Sequence, residues 1–163
     1  NQIKARYFAE IDLSPEITFG SSSYITHALY IMGYENIFIY DKRSYFIPNY
    51  EEVKNKEPDF IIYEPKPERL KKPSLDEIIE RYEKIGLGNL KAVREKRIII
   101  TPGDYIAHYG PSLITEVLPY LNEEIKKVLD WFFQKIYHAQ NFRKGKMNNE
   151  FLPPCQSYKV FHN

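Results

Sequence analysis

The stretch "TPGDYIAHYGPS" at 101–112 gathers an Asp, a His and two Tyr into one connection between the apolar run "RIII" and the helical-looking "LITEVLPYL". An imidazole beside phenols can hydrogen-bond a polar ligand or coordinate a metal centre that the ligand carries, while the rings cover its apolar faces. Three other connections bear similar side chains: "LSPEITFGSSS" with Phe19 and Ser21, "DKRSYFIPN" with Tyr45 and Phe46, and "EPKPE" with Glu64 and Lys66. The serines at 21–23 precede a helix, where backbone N–H groups could also cradle an anion. This chemistry is recognition rather than turnover. The chain lacks a Gly-x-Ser-x-Gly elbow, a phosphate loop and a dinucleotide Gly-x-Gly-x-x-Gly, and its four histidines, His27, His108, His138 and His162, are scattered. No cofactor and no resident metal ion is implied.

The elements that must position these side chains alternate in period. "ARYFAEID" reads as a first strand, and "SSSYITHALYIMG" puts Ile25, Ala28, Leu29 and Met32 on one helical face, with serines at its start and Gly33 as its stop. "NIFIY" at 36–40 is the second strand. A brief helix, "YEEVKNKE", ends before Pro58, and "DFIIY" at 59–63 is the third strand. "SLDEIIERYEKIG" carries a capping-box pair, Ser74 with Glu77, and "RIIIT" at 97–101 is the fourth strand. Gly110 and Pro111 then open a helix bearing Leu113, Ile114, Val117, Leu118 and Leu121, and "NEEIKKVLDWFFQKIYHAQ" is a further amphipathic helix. The pattern predicts a three-layer α/β/α fold around a mainly parallel sheet of four strands. Residues 1–140 form the α/β domain with its extra C-terminal helix, and 141–163 form an extended tail. In such a sheet the ligand lies beyond the carboxyl ends of the strands. The candidate rim is therefore Phe19, Ser21, Tyr45, Phe46, Glu64, Tyr105, His108 and Tyr109.

Composition narrows the partners. With 43% apolar and 28% charged residues, 163 residues suit one globular domain. The 23 basic and 22 acidic residues are spread along the chain, so no footprint for polyphosphate exists and nucleic acid is not expected. A single cysteine, Cys155, excludes an internal disulfide and a cysteine-rich zinc site. No apolar run approaches the roughly 20 residues of a membrane span.

The order of these pieces resembles the C-terminal lobe of the solute-binding proteins of ABC importers for cobalamin, ferric siderophores and haem. "GYENI" closes the first helix, "EEVKNKEPDFII" leads into the third strand, and "NLKAVREKRIIITPGDYIAHYGPS" leads through the fourth to Gly-Pro; the resemblance spans roughly 6–121. It implies one lobe of a two-lobed, extracytoplasmic protein, at the cell surface or in the periplasm and membrane-anchored in full-length form. The partners it implies are a metal chelate (siderophore, cobalamin or haem), an N-terminal lobe absent from this sequence and an ABC permease that meets an acidic side chain, here Glu35. Two positions depart from the family pattern: Ser112 stands where an Arg often follows Gly-Pro, and His108 where cobalamin-type members place an Arg. A nucleotide- or flavin-binding enzyme domain is the alternative use of the same sheet edge, and an interaction module built on the helix around Trp131 is a third. The first reading makes a geometric demand: Phe19, Tyr45, Glu64 and His108 should share the carboxyl edge of the sheet.

Overall fold

A computed structural model describes residues 2–66, 71–107 and 110–130. In chain order the elements are β1 (Ala5–Asp12), β2 (Glu16–Phe19), α1 (Tyr24–Ile31), β3 (Tyr34–Asn36), β4 (Tyr45–Phe46), α2 (Tyr50–Lys56), β5 (Phe60–Glu64), α3 (Leu75–Lys84), α4 (Lys91–Arg94) and β6 (Ile98–Ile100). A π-helical segment (Leu113–Val117) follows, and the chain continues as α-helix over 118–130.

Alternation along the strands sets the layers, because successive side chains leave a strand on opposite faces. Ala5, Tyr7, Ala9 and Ile11 of β1, with Phe60 and Ile62 of β5, enter one core beside Ile25 and Leu29 of α1 and Val117, Leu121 and Ile125. Phe8, Ile61, Tyr63 and Ile98 enter the other, beside Val53 of α2, Ile78 and Tyr82 of α3, and Ala92 and Val93 of α4. Both faces of the sheet are covered, as the near-continuous apolar runs require.

The sheet is mainly parallel but has six strands among the described residues, in place of the expected four. β1 pairs β5 in parallel from Tyr7 with Phe60 to Ile11 with Glu64, and β5 pairs β6 in parallel. The other edge of β1 is shared. β3 runs parallel to Ala5–Tyr7, while β2 folds back antiparallel onto Ile11 and Asp12 and carries β4 on its outer side. Two connections read as loops thus contain strands. The second strand is also displaced, from 36–40 to Tyr34–Asn36, because the Phe38 N–H donates to Asn36 Oδ1 at 2.9 Å and turns the chain there. Ile37 and Phe38 are buried without being extended.

Local signals hold at the helices. Ser74 and Glu77 form the reciprocal capping box (Ser74 N to Glu77 Oε2, 2.6 Å; Glu77 N to Ser74 Oγ, 3.2 Å). Asn49 caps α2, which ends at Glu57 in the left-handed region (φ 45°), one residue before Pro58. The two helices expected on either side of Leu121 are one, since 118–130 is helical without a break. Its π-helical start turns Ile114 outward, 72% exposed, and not onto the expected apolar face. Residues 131–163, on which the rest of the expected final helix, Trp131, the expected tail and Cys155 fall, lie outside the described residues.

Asn36 holds the place where β1 changes partner. Its Nδ2 donates to the Phe19 carbonyl at the end of β2 (2.9 Å) and to Thr26 Oγ1 of α1 (3.0 Å), while Oδ1 takes the Phe38 N–H. Thr26 passes the link on to the Gly20 carbonyl (2.8 Å). Gly20 itself is dictated by close approach: a Cβ there would lie 2.2 Å from the Arg43 carbonyl oxygen and 2.5 Å from that of Asp41.

A second polar centre sits in the other core. The fully buried Glu10 receives Arg81 (2.5 Å), Tyr50 (2.7 Å) and Tyr82 (3.2 Å), so β1, α2 and α3 meet on one carboxylate. Arg81 reaches on to Glu16 of β2 at 3.3 Å. Burial lifts the Glu10 carboxyl above its ordinary 4.5, against the pull of Arg81 and the three hydrogen bonds.

Two outcomes follow from these centres. Asn36→Ala leaves buried partners on β2, α1 and the 37–40 turn unmatched and should cost about 2–4 kcal/mol in urea unfolding; Asn36→Asp should not restore it, since a carboxylate oxygen would face the Phe19 carbonyl. Because Glu10 binds its proton more tightly folded than unfolded, its titration stabilises the fold at acid pH, and that contribution is lost as pH rises through the folded value. Thermal melts from acid to neutral pH should therefore show wild type losing stability relative to Glu10→Gln as pH climbs above 4.5. A pH-independent difference would refute the assignment.

Candidate functional site at the carboxyl edge of the sheet

The parallel strands end together at Asp12, Glu64 and Ile100, and register decides what stands beside them. Ile11 and Glu64 are level. Ile17 pairs Ile11, and continuing the β4 register by one residue sets Ile47 beside Ile17, so Ile47 is level with Glu64 too. Ile47 is 64% exposed, and Leu13, the first residue past β1, is 49% exposed. Neither aliphatic side chain belongs to the rim read from sequence, because residue type alone gives no signal; their exposure next to strand ends does.

Glu64 is 1% exposed and organises the loop after β6. Its Oε1 accepts from Thr101 Oγ1 (2.8 Å), Tyr105 N (2.9 Å) and Ile106 N (2.8 Å), and its Oε2 accepts from Ala107 N (2.9 Å). Thr101 Oγ1 in turn accepts the Gly103 N–H at 3.3 Å. The loop is pinned from the helical layer as well: Tyr24 donates its hydroxyl to the Ile106 carbonyl (2.7 Å), and the half-buried Tyr105 ring meets Tyr120 edge to face at 5.1 Å. His108 and Tyr109, which follow directly, lie outside the described residues.

The other expected rim residues are placed differently. Phe19 is 5% exposed and belongs to the core of the α1 face; continuing the β1–β2 register sets it level with Ala9, below the carboxyl edge. β2 runs antiparallel, so its last residue points away from the edge that the loop reading assumed. Tyr45 pairs Phe19 on the outer strand and is 64% exposed. Phe46 is buried in the second core, edge to face with Phe38 at 5.2 Å and beneath the Arg43 guanidinium at 4.0 Å. The demand that Phe19, Tyr45 and Glu64 share one edge is therefore not met: Phe19 is core, Tyr45 sits on the flank, and Glu64 stands at the edge.

The serine loop serves the fold. Ser21 gives both its N–H (2.6 Å) and its hydroxyl (2.8 Å) to the Asp41 carbonyl, Ser22 gives its hydroxyl to the Lys42 carbonyl (2.6 Å), and Gly20 N–H goes to Ser44 (3.2 Å). Ser23 is the N-cap of α1 without a side-chain cap bond, and its N–H goes to the Gly20 carbonyl. The N–H groups of 20, 21 and 23 are committed within the fold, and the serine loop clamps the 41–44 loop. Asp41 in that loop is gripped by the Arg43 guanidinium (2.6 and 3.0 Å), which holds its carboxyl below the usual range.

Glu35 lies at the other end of the sheet. It pairs in register with Arg6, five residues of strand before the Glu64 level, roughly 16 Å away. Its carboxylate is 3.6 Å from Arg6 Nε and one quarter exposed. Among the described residues no cluster of three or more His, Cys, Asp or Glu side chains could hold a metal ion, and no helix is long and apolar enough to cross a membrane. The edge presents Leu13, Ile47 and Tyr105 above a carboxylate spent on the loop, a surface suited to covering an apolar or aromatic ligand face.

Residues 1–105 match the family described as periplasmic binding protein. No curated protein matches the chain. Among solved structures, the chain is similar to a possible iron-binding, periplasmic solute-binding protein from Staphylococcus epidermidis, at 25% identity and a TM-score of 0.60, over 77% of this chain and 46% of that one. It shares its fold with the periplasmic vitamin B12 binding protein BtuF of Vibrio cholerae (19%, TM-score 0.56, 79% and 46%) and the haem-binding HutB of Vibrio cholerae (14%, TM-score 0.57, 74% and 46%). The chain spans less than half the length of each. With a family match over 105 of 163 residues and the mainly parallel α/β lobe seen here, the chain belongs to the periplasmic binding protein family.

Proposed function

We propose that this chain is the solute-recognition lobe of an ABC importer's binding protein, that it works outside the cytoplasm in a membrane-anchored whole, and that it passes a metal chelate of siderophore, cobalamin or haem type to a permease without chemical change. The observation that carries this reading is the family match together with the exposed aliphatic side chains Leu13 and Ile47 and the half-buried Tyr105 beside the strand ends. Leu13, Ile47 and Tyr105 form the wall, with Tyr45 on its flank, and His108 and Tyr109, next in sequence to Ala107, are assigned to it; His108 supplies the polar contact. Glu64 supports the wall from beneath, and Ser21, Phe19 and Phe46 act through the fold. Glu35 is the permease-facing carboxylate, which would exchange Arg6 for a cation of the permease.

A chelate held between two lobes meets only one of them here, since the chain spans 46% of its relatives' length. One wall buries less of the ligand than the 70–90% roughly typical of a pocket, while association still costs on the order of 4–15 kcal/mol in lost freedom. Calorimetric titration of the 163-residue chain with haemin, cyanocobalamin and ferrichrome should therefore find one class bound at roughly micromolar to millimolar affinity. In a two-lobed protein carrying this lobe, His108→Ala should weaken that binding by about 1–3 kcal/mol. Tighter binding of FMN or a nucleotide than of any chelate would sink the transport reading and favour the enzyme domain.

A further inference from the structure

Three successive backbone N–H groups, those of Tyr105, Ile106 and Ala107, converge on one buried carboxylate. The two residues before them, Gly103 (φ 97°) and Asp104 (φ 54°), stand in the left-handed region, which turns the loop so that the following N–H groups point inward together. Successive N–H groups arranged in this way form a nest, a concavity that binds anions such as phosphate or carboxylates. Here the anion comes from β5. Oε1 accepts from the Thr101 hydroxyl and two of the N–H groups and Oε2 from the third, so four donors meet on a carboxylate that is 1% exposed. Burial and these donors turn the carboxylate inward, away from a solute.

We infer that Glu64 is a positioning residue, the built-in anion of a nest at the carboxyl edge, which holds residues 105–107 as a preformed wall and closes this loop to small anions. Its position at the sheet edge in sequence suggests a ligand contact; the geometry assigns it the opposite task. That the wall then faces a chelate rests on the reading of the preceding subsection, whereas the filling of the nest does not.

Glu64→Ala removes a methylene and a carboxylate, the atoms of acetate, so an added carboxylate can take the vacated place. In the full chain, the amides of 105–107 should exchange hydrogen about ten-fold or more faster in this variant, while those of β5 and β6 keep their protection. Sodium acetate should restore slow exchange and raise the Tm of the variant, with no effect on wild type and none from sodium chloride at equal ionic strength. Unchanged exchange, or rescue by chloride as good as by acetate, would overturn the inference. If Glu64→Ala does not fold, Glu64→Gln decides: its carbonyl can keep the three donors of Oε1 but its amide would face the Ala107 N–H, so Ala107 alone should lose protection, and an unchanged Ala107 refutes the nest. Titrating the same samples with haemin, ferrichrome and cyanocobalamin separates the two claims. Acetate rescue without binding of any probe by wild type would remove the transport reading and leave the nest, and binding without rescue would do the reverse.

Discussion

The lobe depends on how β1 closes its second edge. β1 lies between two apolar layers and pairs β5 along one side, so unpaired backbone groups on its other side would be buried without partners, at a cost comparable to lost hydrogen bonds. β3 is only three residues long and covers only the first part of β1. The chain solves this by sending β2 back along the last part and joining the two coverings through Asn36. The course of β2, the start of α1 and the turn into the 41–44 loop all follow from that join, and with them the height at which Tyr45 and Ile47 stand.

Much of the architecture was legible in the sequence because it rests on local pattern. β1, β5, β6, α1, α2 and α3 follow apolar periodicity, and the Ser74–Glu77 box is a signal three residues long. What was illegible depends on contacts far apart in sequence. "EITF" reads as loop because four residues carry too little alternation, and only the vacancy beside Ile11 and Asp12 makes them a strand. The sequence cannot show Phe19 below the edge, since that follows from β2 running backwards. The helix boundary expected at Leu121 failed for a related reason: Asn122 and its acidic neighbours look like a fresh start, yet Leu121 and Ile125 lie in one core on one continuous helix.

The candidate site shows the same division at the scale of side chains. Ser21 and Glu64 carry groups that sequence reasoning assigns to ligands, and each is engaged in fixing a loop. Polar side chains at the rim of a doubly wound sheet must first satisfy the backbone of loops that have no ladder to join. The side chains left uncommitted to loop backbone beside the strand ends are then the aliphatic Leu13 and Ile47.

The π-helical segment between the edge loop and the final helix has a bearing on how this lobe tolerates insertion and deletion. A π turn accommodates one more residue than an α turn, so it acts as a phase shifter: chain length can change on its loop side while Val117, Leu121 and Ile125 keep their angular position over the sheet. The helix is thereby uncoupled in register from the 101–110 connection. Loop length at the carboxyl edge can drift by a residue without rotating the core, which leaves the surface at that edge free to change shape on one scaffold.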